Sequence, residues 1–384
     1  MIIKKIDLKE SFTSSPIVYD INSDGIKEII VLSESIFVID PLNFKFINPF
    51  PLKISGPVAS TPYITKKDES IFLYFGSDNK NFYTLRIKNN KIDYKFLKTG
   101  GDIFSSPLIY DIDKDGIEEI IFGSDDFYLY IIKSEKIFRY KTLGFISSSP
   151  SLFKLNGKNF FVFCSWDNFL YLGYFDGNNI ELKFKKDLSF YIWASPVIDD
   201  INFDGKNEII VTNNSLHVLD FTGNYLKNFP YRFKSFTISS PCIADIDGDN
   251  FKEIIVISDA LYVFNIRGEI LECFPFKIKS PSISSPCTLD FDNDGYEEIV
   301  IFDYEGNYYV VNREGKRLFN PVKLSNSFVA TPYIEDLDGD GLLEIVNVSF
   351  DGKLFVIKTE GKKSSFKRFR GNYGNGFLGN EDKD

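Results

Sequence analysis

One pattern of oxygen-bearing side chains occurs six times in this sequence, with the spelling D-x-[DN]-x-D-[GN]-x-x-E. Oxygens at positions 1, 3 and 5 of a tight turn can converge on one hard cation, and Gly or Asn at position 6 can adopt the positive φ that curls the backbone round it. The acid at position 9 would complete the ligand shell from the next strand. These residues are Asp20, Asn22, Asp24 and Glu28; Asp111, Asp113, Asp115 and Glu119; Asp200, Asn202, Asp204 and Glu208; Asp245, Asp247, Asp249 and Glu253; Asp290, Asp292, Asp294 and Glu298; and Asp336, Asp338, Asp340 and Glu344.

The chemistry of these turns favours calcium. Calcium accepts six to eight oxygen ligands in flexible geometry, whereas magnesium demands a strict octahedron and retains its water. The competing interpretation is an ordinary polar turn, because Asp, Asn and Gly favour turns for backbone reasons. It does not explain why three or four carboxyl groups, which repel one another, recur together six times. We therefore predict up to six Ca²⁺ ions as the cofactors of this chain.

The metal hypothesis changes the meaning of the net charge. The 384 residues include 44 Lys plus Arg and 54 Asp plus Glu, a formal charge of −10, which disfavours nucleic acid as a partner. Asn22 and Asn202 are uncharged, so the six turns hold 22 of the 54 acidic residues. Six divalent ions would move the formal charge to about +2. The acidity is thus largely metal ligand, and no motif supports nucleic-acid binding.

Other reactive residues are few. His217 is the only histidine and stands in an alternating strand pattern, so we interpret it as a structural strand residue. No C-x-x-C spacing joins the cysteines, and we expect buried free thiols rather than zinc ligands or disulfides. The cysteines are Cys164, Cys242, Cys273 and Cys287. These observations predict no catalytic residue of the Ser-His or Cys-His type.

The acidic turns belong to a repeat. A Ser or Thr followed by Pro and an apolar run recurs at spacings of 43 to 46 residues, so eight units account for about 361 residues. A fixed period of this size replaces the two or three domains that length alone suggests with one array. The prolines are Pro16, Pro62, Pro107, Pro150, Pro196, Pro241, Pro286 and Pro332.

Each unit shows only strand signals. In the sixth, short apolar runs at 240–246, 253–257, 261–266 and 270–277 are separated by the acidic turn and two further turns. Four short strands at a period of 40 to 50 residues are typical of a β-propeller blade. We predict an all-β fold, a single eight-bladed propeller over residues 1–369 with the acidic turns between first and second strands, followed by a Gly/Asn-rich tail at 370–384. The repeats start near residues 14, 60, 105, 148, 194, 239, 284 and 330.

The strand that closes the ring stays open. Either residues 2–8 or residues 361–369 could supply the outer strand of the eighth blade and close the ring.

The second and fourth units have lost the acidic pattern. In the turn they place Lys66, Lys67 and Asp68, or Lys154, Asn156 and Lys158.

The units resemble the FG-GAP/VCBS-type repeats of integrin α-subunit-like propellers. The resemblance is clearest in the segment 105–121, SSPLIYDIDKDGIEEII. The dipeptides Phe75-Gly76 and Phe122-Gly123 match the Phe-Gly pair for which the FG-GAP repeat is named. The resemblance implies calcium in the loops, a non-catalytic protein-binding or adhesion scaffold, and an extracytoplasmic or cell-surface setting. The first 15 residues have neither an apolar stretch of ~7 to 15 residues nor a small-residue cleavage site, so we expect no secretion signal in this chain. We also expect no membrane span and a monomer.

The sequence leaves other functions open. Rhamnogalacturonan lyases resemble the chain through similarly spelled calcium loops, which makes a polysaccharide-active or carbohydrate-binding propeller the alternative. A protein scaffold predicts one exposed patch, a carbohydrate binder repeated aromatic pockets, and a lyase a cleft over the channel with basic and acidic residues. The residues three before each proline are mostly apolar, and we expect them to pack between blades. They are Phe104, Trp193, Ile238, Ile283 and Val329.

We expect a chelator to lower the thermal unfolding midpoint of the protein. With a Kd near ~10⁻⁴ M and about 1 mM free calcium, each ion would contribute roughly 1.4 kcal/mol and six about 8 kcal/mol, comparable with the whole stability of a typical protein. Thermal melts with and without chelator measure the effect. An unchanged midpoint would rule out a structural role for the ions.

Overall fold

Each repeat forms one antiparallel sheet, and the eight sheets surround a central channel as the blades of a propeller. This arrangement comes from a computed structural model that describes residues 2–89, 91–155 and 157–365. All 31 described elements are strands. The prediction of an all-β, eight-bladed propeller of four-stranded blades is confirmed. The boundary at residue 369 and the tail at 370–384 lie outside the described residues.

The strands follow the same order in every blade, from the channel outward. The first strands are β2 Ile17–Tyr19, β6 Tyr63–Lys67, β10 Leu108–Tyr110, β14 Ser151–Leu155, β18 Val197–Asp199, β22 Cys242–Ala244, β25 Cys287–Leu289 and β29 Tyr333–Glu335. The second strands are β3 Glu28–Leu32, β7 Ser70–Gly76, β11 Glu119–Gly123, β15 Lys158–Cys164, β19 Glu208–Thr212, β23 Glu253–Ile257, β26 Glu298–Phe302 and β30 Glu344–Val348. The third strands are β4 Ser35–Ile39, β8 Asn81–Lys88, β12 Tyr128–Lys133, β16 Phe169–Phe175, β20 Ser215–Leu219, β24 Leu261–Phe264, β27 Asn307–Val311 and β31 Lys353–Lys358. The outer strands are β5 Leu52–Lys53, β9 Lys91–Lys98, β13 Lys136–Lys141, β17 Ile180–Asp187, β21 Tyr231–Arg232, β28 Val322–Lys323 and, in the eighth blade, β1 Ile2–Asp7.

The core lies between neighbouring blades. The second strands are apolar on both faces and almost wholly buried, as in β19, because a sheet covers each side of them. Bulky rings fill the wedge between sheets, and the stacked pair Phe82 and Phe122, with ring centroids 4.1 Å apart, joins blades 2 and 3. Phenylalanine is therefore abundant here partly for packing reasons.

The sixth blade departs from the expected strand at 270–277. Only isolated bridges from Phe264 to Ile270 and from Leu261 to Phe276 connect this segment to the third strand. Pro275 lies between them and has no N–H to donate to the ladder, which explains the interruption. The segment still covers the edge of the blade.

The N-terminal segment closes the ring. Strand β1 pairs antiparallel with β31 along its whole length, from Ile2 opposite Lys358 to Asp7 opposite Lys353. The other candidate, residues 361–369, is described as far as Ser365 and forms no strand up to that point. Its backbone instead contacts the seventh blade, where Asp290 N–H donates to the Lys363 carbonyl at 3.0 Å.

A ring of hydroxyl groups explains why Ser or Thr precedes each proline. In seven interfaces, the backbone N–H of this residue donates to the hydroxyl of the equivalent residue in a neighbouring blade, at 2.9 to 3.2 Å. The last of these bonds, from Thr331 N–H to Ser15 Oγ, joins the eighth blade to the first. The sequence marks these positions, but the role of their hydroxyls was not predicted.

The packing prediction for the residues three before each proline is wrong by one position. Phe104, Trp193, Ile238, Ile283 and Val329 are half-buried and line the channel. The residues four before each proline are buried between blades instead, and include Phe12, Val58, Ile103, Ile146, Ile192 and Phe328. Successive side chains of an extended segment point to opposite sides. If one residue points into the channel, the residue before it therefore points into the core between blades.

The remaining single residues largely agree with expectation. His217 is buried in β20, and its ring nitrogens contact Tyr225 Oη and Asn213 Oδ1 at 2.9 and 3.0 Å. Burial lowers the pKa of His217 to about 4, so it stays neutral at physiological pH. All four cysteines are free thiols. Cys273 is exposed, contrary to the expectation that all four are buried.

Replacing one hydroxyl of the ring should weaken the joint between two blades. Ser195→Ala removes the acceptor of the buried Ser149 N–H, and we expect a loss of about 1 to 3 kcal/mol in the free energy of unfolding. Urea denaturation measures it. Ser195→Thr is the control, since Thr keeps the hydroxyl and occupies this position naturally as Thr331. Equal stability of the Ala variant and wild type would show that the bond contributes nothing.

Acidic loops and the channel mouth

All six acidic turns lie on one face of the ring, which we call the loop face, because each connects a first strand to a second strand. They share one set of backbone hydrogen bonds. The position-9 glutamate accepts a bond at Oε2 from the N–H of position 2 in all six, at 2.8 to 3.2 Å. The position-5 aspartate accepts one from the N–H of position 7 in all six. The position-1 aspartate accepts from the N–H of position 6 in each.

The backbone at position 6 curls as the sequence predicts. The φ angle there is positive in every loop, between 70° at Asn250 and 99° at Gly295. Most residues with a Cβ would be strained at this φ, whereas Gly and Asn adopt it readily. The turn therefore directs the oxygens of positions 1, 3, 5 and 9 toward a common centre before any ion is considered.

Four of the six predicted sets bring at least three carboxylates together. In each of them, one oxygen per residue lies within 4.8 Å of the others. These sets are Asp111, Asp113 and Asp115; Asp245, Asp247 and Glu253; Asp290, Asp292 and Asp294; and Asp336, Asp338 and Glu344. In the first and fifth blades, Asn22 and Asn202 replace one acid, and their amides donate to Glu28 Oε1 and Glu208 Oε1.

The position-9 glutamates are the least exposed acids of the loops, all at 3% or less. Burial, reinforced by the neighbouring aspartates, raises the pKa of Glu208, Glu253 and Glu298 to about 8. It raises the pKa of Glu28 and Glu344 to about 7. Among these glutamates, only Glu344 has a lysine near its carboxylate, Lys358 at 3.8 Å, and no described ion pair includes Glu28, Glu208, Glu253 or Glu298.

The residues present fit a calcium ion. Asp290 Oδ1 is buried and has neither a hydrogen-bond donor nor an ion-pair partner among the described residues. Asp113 Oδ1, Glu119 Oε1 and Glu344 Oε1 also lack a donor, but they belong to residues that a lysine contacts. Buried carboxylate oxygens of this kind are costly unless a cation takes them up. An all-oxygen donor set with a positive φ at position 6 matches the preferences of calcium.

The second and fourth blades place lysines outside this arrangement. Their first and second strands continue into tight turns, as in the register Lys67 opposite Ser70. Lys67 pairs with Glu118 of the next blade at 2.7 Å, and Lys66 donates to Ser23 at 3.2 Å. Asn156 of the fourth turn lies outside the described residues. Lys66 and Lys67 therefore contact the blades on either side of their own.

A cavity of about 390 Å³ occupies the channel, toward the face opposite the loops, which we call the far face. Two rings of residues line it, one from the Ser or Thr before each proline and one from the residues three before it. The exception is Asp78, which reaches the cavity from the turn between β7 and β8. No described lining residue is Lys or Arg.

Aromatic side chains extend from this cavity across the far face. The rings form a chain of contacts in which Phe145 and Trp166 lie 5.2 Å apart, Trp166 and Trp193 5.0 Å, and Phe104 and Trp193 6.2 Å between centroids. We call this set the aromatic patch; it consists of Phe104, Phe127, Phe145, Trp166, Phe190, Tyr191, Trp193 and Phe236. Phe127, Phe145 and Phe236 are exposed at 37%, 36% and 52%. The patch belongs to blades 3 to 6.

Three half-buried carboxylates border the patch. Burial, and next the charges of Asp102 and Asp125, raise the pKa of Asp78 to about 6. Burial likewise raises the pKa of Asp125 to about 6, although Ser147 Oγ donates to its Oδ1 at 2.9 Å. Asp78 Oδ1 has no hydrogen-bond donor in the described structure. None of the described ion pairs includes these aspartates, so this edge carries uncompensated negative charge. Sequence reasoning missed it because each aspartate stands in a different turn.

A second cavity, of about 830 Å³, opens between blades 2 and 3. Phe72, Phe82 and Ile120 are among its apolar lining residues. The ion pair of Lys67 with Glu118 crosses it at 2.7 Å. This cavity lies between blades and not over the channel.

The sequence comparison identifies a repeat family. Residues 290–364, which contain the acidic loop of the seventh blade and the loop and strands β29 to β31 of the eighth, match the FG-GAP-like repeat family. Together with the eight-bladed arrangement, the match confirms the recognition of FG-GAP-type repeats. No curated protein matches the chain.

Solved propellers resemble the chain in fold. The yeast protein Sqt1 from Saccharomyces cerevisiae superposes with a TM-score of 0.68 at 13% identity, and BamB from Moraxella catarrhalis with 0.61 at 12%; each comparison covers 92% of this chain and 98% of the other. BBS1N, solved in complex with ARL6DN, gives 0.51 at 10% over 94% and 95%. At these identities the likeness concerns the fold. No helix of the described residues has the length and apolarity needed to cross a membrane.

Without metal, the stability of the protein should fall as the pH rises from about 5 to 8. The folded state holds the protons of the position-9 glutamates up to about pH 7 to 8, whereas the unfolded chain releases them near pH 4.5. Because the folded state binds more protons in this window, the free energy of unfolding decreases with pH. Saturating calcium should remove most of the decrease and leave the smaller part that comes from Asp78 and Asp125, whose pKa is raised to about 6 on the far face.

Urea denaturation at pH 5, 6.5 and 8, in chelator and in calcium, measures this dependence. Glu253→Gln is the matched control, since it keeps the shape of the side chain and should flatten the slope in chelator. A metal-free protein as stable at pH 8 as at pH 5 would contradict the account.

Proposed function

We propose that this chain is a non-catalytic, calcium-stabilised β-propeller that serves as a binding scaffold for a protein partner. The observation that carries the proposal is the aromatic patch, whose contacting rings on blades 3 to 6 join exposed rings to the channel cavity. Blade packing does not require such exposure. The division of tasks is that the loop face binds the ions and the far face binds the partner.

Calcium is the ion that the loops fit best. Six turns present the same constellation, positions 1, 5 and 9 are held by the same backbone bonds, and the buried Asp290 Oδ1 of the seventh blade lacks a donor among the described residues. When bound, calcium would neutralise the clustered charge and fix the turn between first and second strands. The residues that would hold it are those of positions 1, 3, 5 and 9.

The far face favours a protein partner with basic side chains. Exposed aromatic rings concentrated in one place mark protein-binding surfaces, and Trp and Tyr are enriched at their centres. The half-buried carboxylates Asp78, Asp102 and Asp125 border the same surface without a cationic partner. A lysine or arginine of the partner would stabilise these carboxylates and stack on the rings.

The alternatives find less support. A carbohydrate binder would repeat its aromatic pockets around the ring, whereas the contacting rings of the patch lie on blades 3 to 6. Tyr304 and Phe350 are exposed at the equivalent turns of blades 7 and 8, but no described ring contact joins either of them to another ring. A lyase would place a base beside cationic groups over the channel, and the described residues of that cavity include neither Lys nor Arg. The cavity between blades 2 and 3 does hold charged groups, but Glu118 there is paired with Lys67.

The proposed setting rests on the calcium affinity assumed for the loops, a Kd of ~10⁻⁴ M. Calcium modules with a Kd near 10⁻⁴ to 10⁻³ M are filled where free calcium is close to millimolar. We therefore propose an extracytoplasmic or cell-surface setting.

Selection of peptides from a random display library tests the proposed surface. We expect the selected peptides to carry Arg or Lys beside an aromatic residue and to change the fluorescence of Trp166 and Trp193. These are the only tryptophans of the chain, and both lie in the patch. Phe145→Ala combined with Phe236→Ala should weaken peptide binding at least 10-fold, and Asp78→Asn combined with Asp125→Asn should weaken basic peptides selectively.

The control is the pair Phe203→Ala and Phe251→Ala. These rings are exposed at 52% and 44% and contact each other at 5.7 Å, but they belong to the acidic turns of the loop face. The control should bind the peptides like wild type. Peptides that bind both double variants as tightly as wild type would contradict the assignment of the surface.

A further inference from the structure

Two of the six acidic loops already contain a positive charge. The Lys133 ammonium contacts Asp113 and lies 2.6 Å from Asp115 Oδ2 and 3.4 Å from Glu119 Oε1. In the eighth blade, Lys358 Nζ lies 2.9 Å from Asp338 Oδ2, 2.5 Å from Asp340 Oδ2 and 3.8 Å from Glu344 Oε1. Each lysine thus contacts positions 3, 5 and 9 of its loop at once.

The register of the sheet places these lysines there. Lys358 ends the third strand of its blade and pairs directly with Glu344, the position-9 acid. In the third blade, Ile132 pairs with Ile120, so the next residue, Lys133, lies opposite Glu119. The side chain of Lys133 is only 13% exposed, which makes it part of the loop interior.

The other four loops have a different residue at this place. Asp40, Asp220, Asn265 and Asn312 lie opposite the position-9 glutamates of blades 1, 5, 6 and 7 by the same register. Their side chains accept bonds from the following turn, as in Leu42 N–H to Asp40 Oδ1 at 2.8 Å. In the described ion pairs, no Lys or Arg contacts the ligand positions of these four loops.

An ammonium and a calcium ion cannot share one loop. Calcium would have to lie 2.3 to 2.6 Å from the same carboxylate oxygens that now surround the lysine nitrogen. To bind it, the loop would have to expel the lysine and give up three charge-assisted contacts. The remaining loops have no such competitor.

We infer that Lys133 and Lys358 are built-in cations that take the place of the metal ion, so that calcium binds to the loops of blades 1, 5, 6 and 7 only. The inference rests on the proposed function, in which the acidic loops bind calcium. It reduces the predicted number of ions from six to four.

The distribution of the two kinds of loop follows the architecture. Blade 8 is closed by the pairing of β1 with β31, and Lys358 belongs to that same strand pair, opposite Ile2. Its loop therefore receives a positive charge without an external ion, next to the pairing of β1 with β31. Blades 2 and 4 lack the acidic pattern, so blade 3 with Lys133 completes a run of three blades that needs no calcium.

The number of calcium ions per chain, measured by elemental analysis after equilibrium dialysis against saturating calcium, tests the inference. We expect four in wild type, five in Lys133→Met and in Lys358→Met, and six in the double variant. Lys88→Met is the matched control and should bind four. Lys88 ends the third strand of blade 2 at the same register, but that blade has no acidic loop and Lys88 pairs with Glu69 at 3.1 Å.

Thermal melts provide a second measurement if a lysine variant is too unstable for ion counting. In chelator, Lys133→Met and Lys358→Met should unfold at a lower temperature than wild type and Lys88→Met, and calcium should restore them. Variants that need calcium to fold are dialysed in calcium throughout.

The outcomes separate the inference from the function on which it rests. Five or six ions in wild type, or four in the double variant, would overturn the inference for one or both lysines while leaving calcium binding intact. No calcium in wild type or in the double variant would overturn the proposed calcium binding itself.

Discussion

Mutual repulsion among carboxylates held in one turn is the constraint on which this propeller depends. In each acidic loop, backbone N–H groups hold the acids of positions 1, 5 and 9, and the last of these is buried under the sheet. The geometry persists only if positive charge enters the loop or if some acids keep their protons. Burial, and after it the charges of the neighbouring aspartates, raises the pKa of the position-9 glutamates. In two loops a lysine supplies the positive charge, and we propose that calcium supplies it in the other four.

The repulsion among carboxylates restricts the residues of the loop face, but it does not restrict the residues of the far face. The loops determine how each first strand turns into the second, and the hydroxyl groups before the prolines join the blades near the channel. The same residue types and hydrogen bonds therefore recur from blade to blade on the loop face and around the channel. In the turns between second and third strands, and in the segments that enter each blade, the residue types can differ between blades. There the chain can concentrate aromatic rings on blades 3 to 6 and carboxylates beside them without disturbing the ring.

The sequence predicts the parts of this structure that repeat. The period of about 45 residues, the prolines and the acidic spelling are enough for the eight blades, the strand order and the place of the loops. Features set by strand register could not be predicted in the same way. Lys133 and Lys358 are ordinary strand ends in the sequence, and only the pairing with the second strand brings them to Glu119 and Glu344.

Other errors have equally physical causes. Phe104 and Trp193 were assigned to blade packing, but the alternation of an extended segment gives that role to their neighbours Ile103 and Ile192. The cluster of Asp78, Asp102 and Asp125 comes from three separate turns, so no local pattern contains it. Ring closure was undecided because both termini had the right spacing, and the full pairing of β1 decides it.

The anomalous scattering of calcium in crystals grown at millimolar calcium tests most directly whether every acidic loop holds a cation. We predict four peaks, in the loops of blades 1, 5, 6 and 7, each surrounded by six to eight oxygens at 2.3 to 2.6 Å. The ammonium groups of Lys133 and Lys358 should fill the other two. Peaks in the loops of blades 3 and 8, with these lysines turned away, or the absence of any peak in the six loops, would contradict the account.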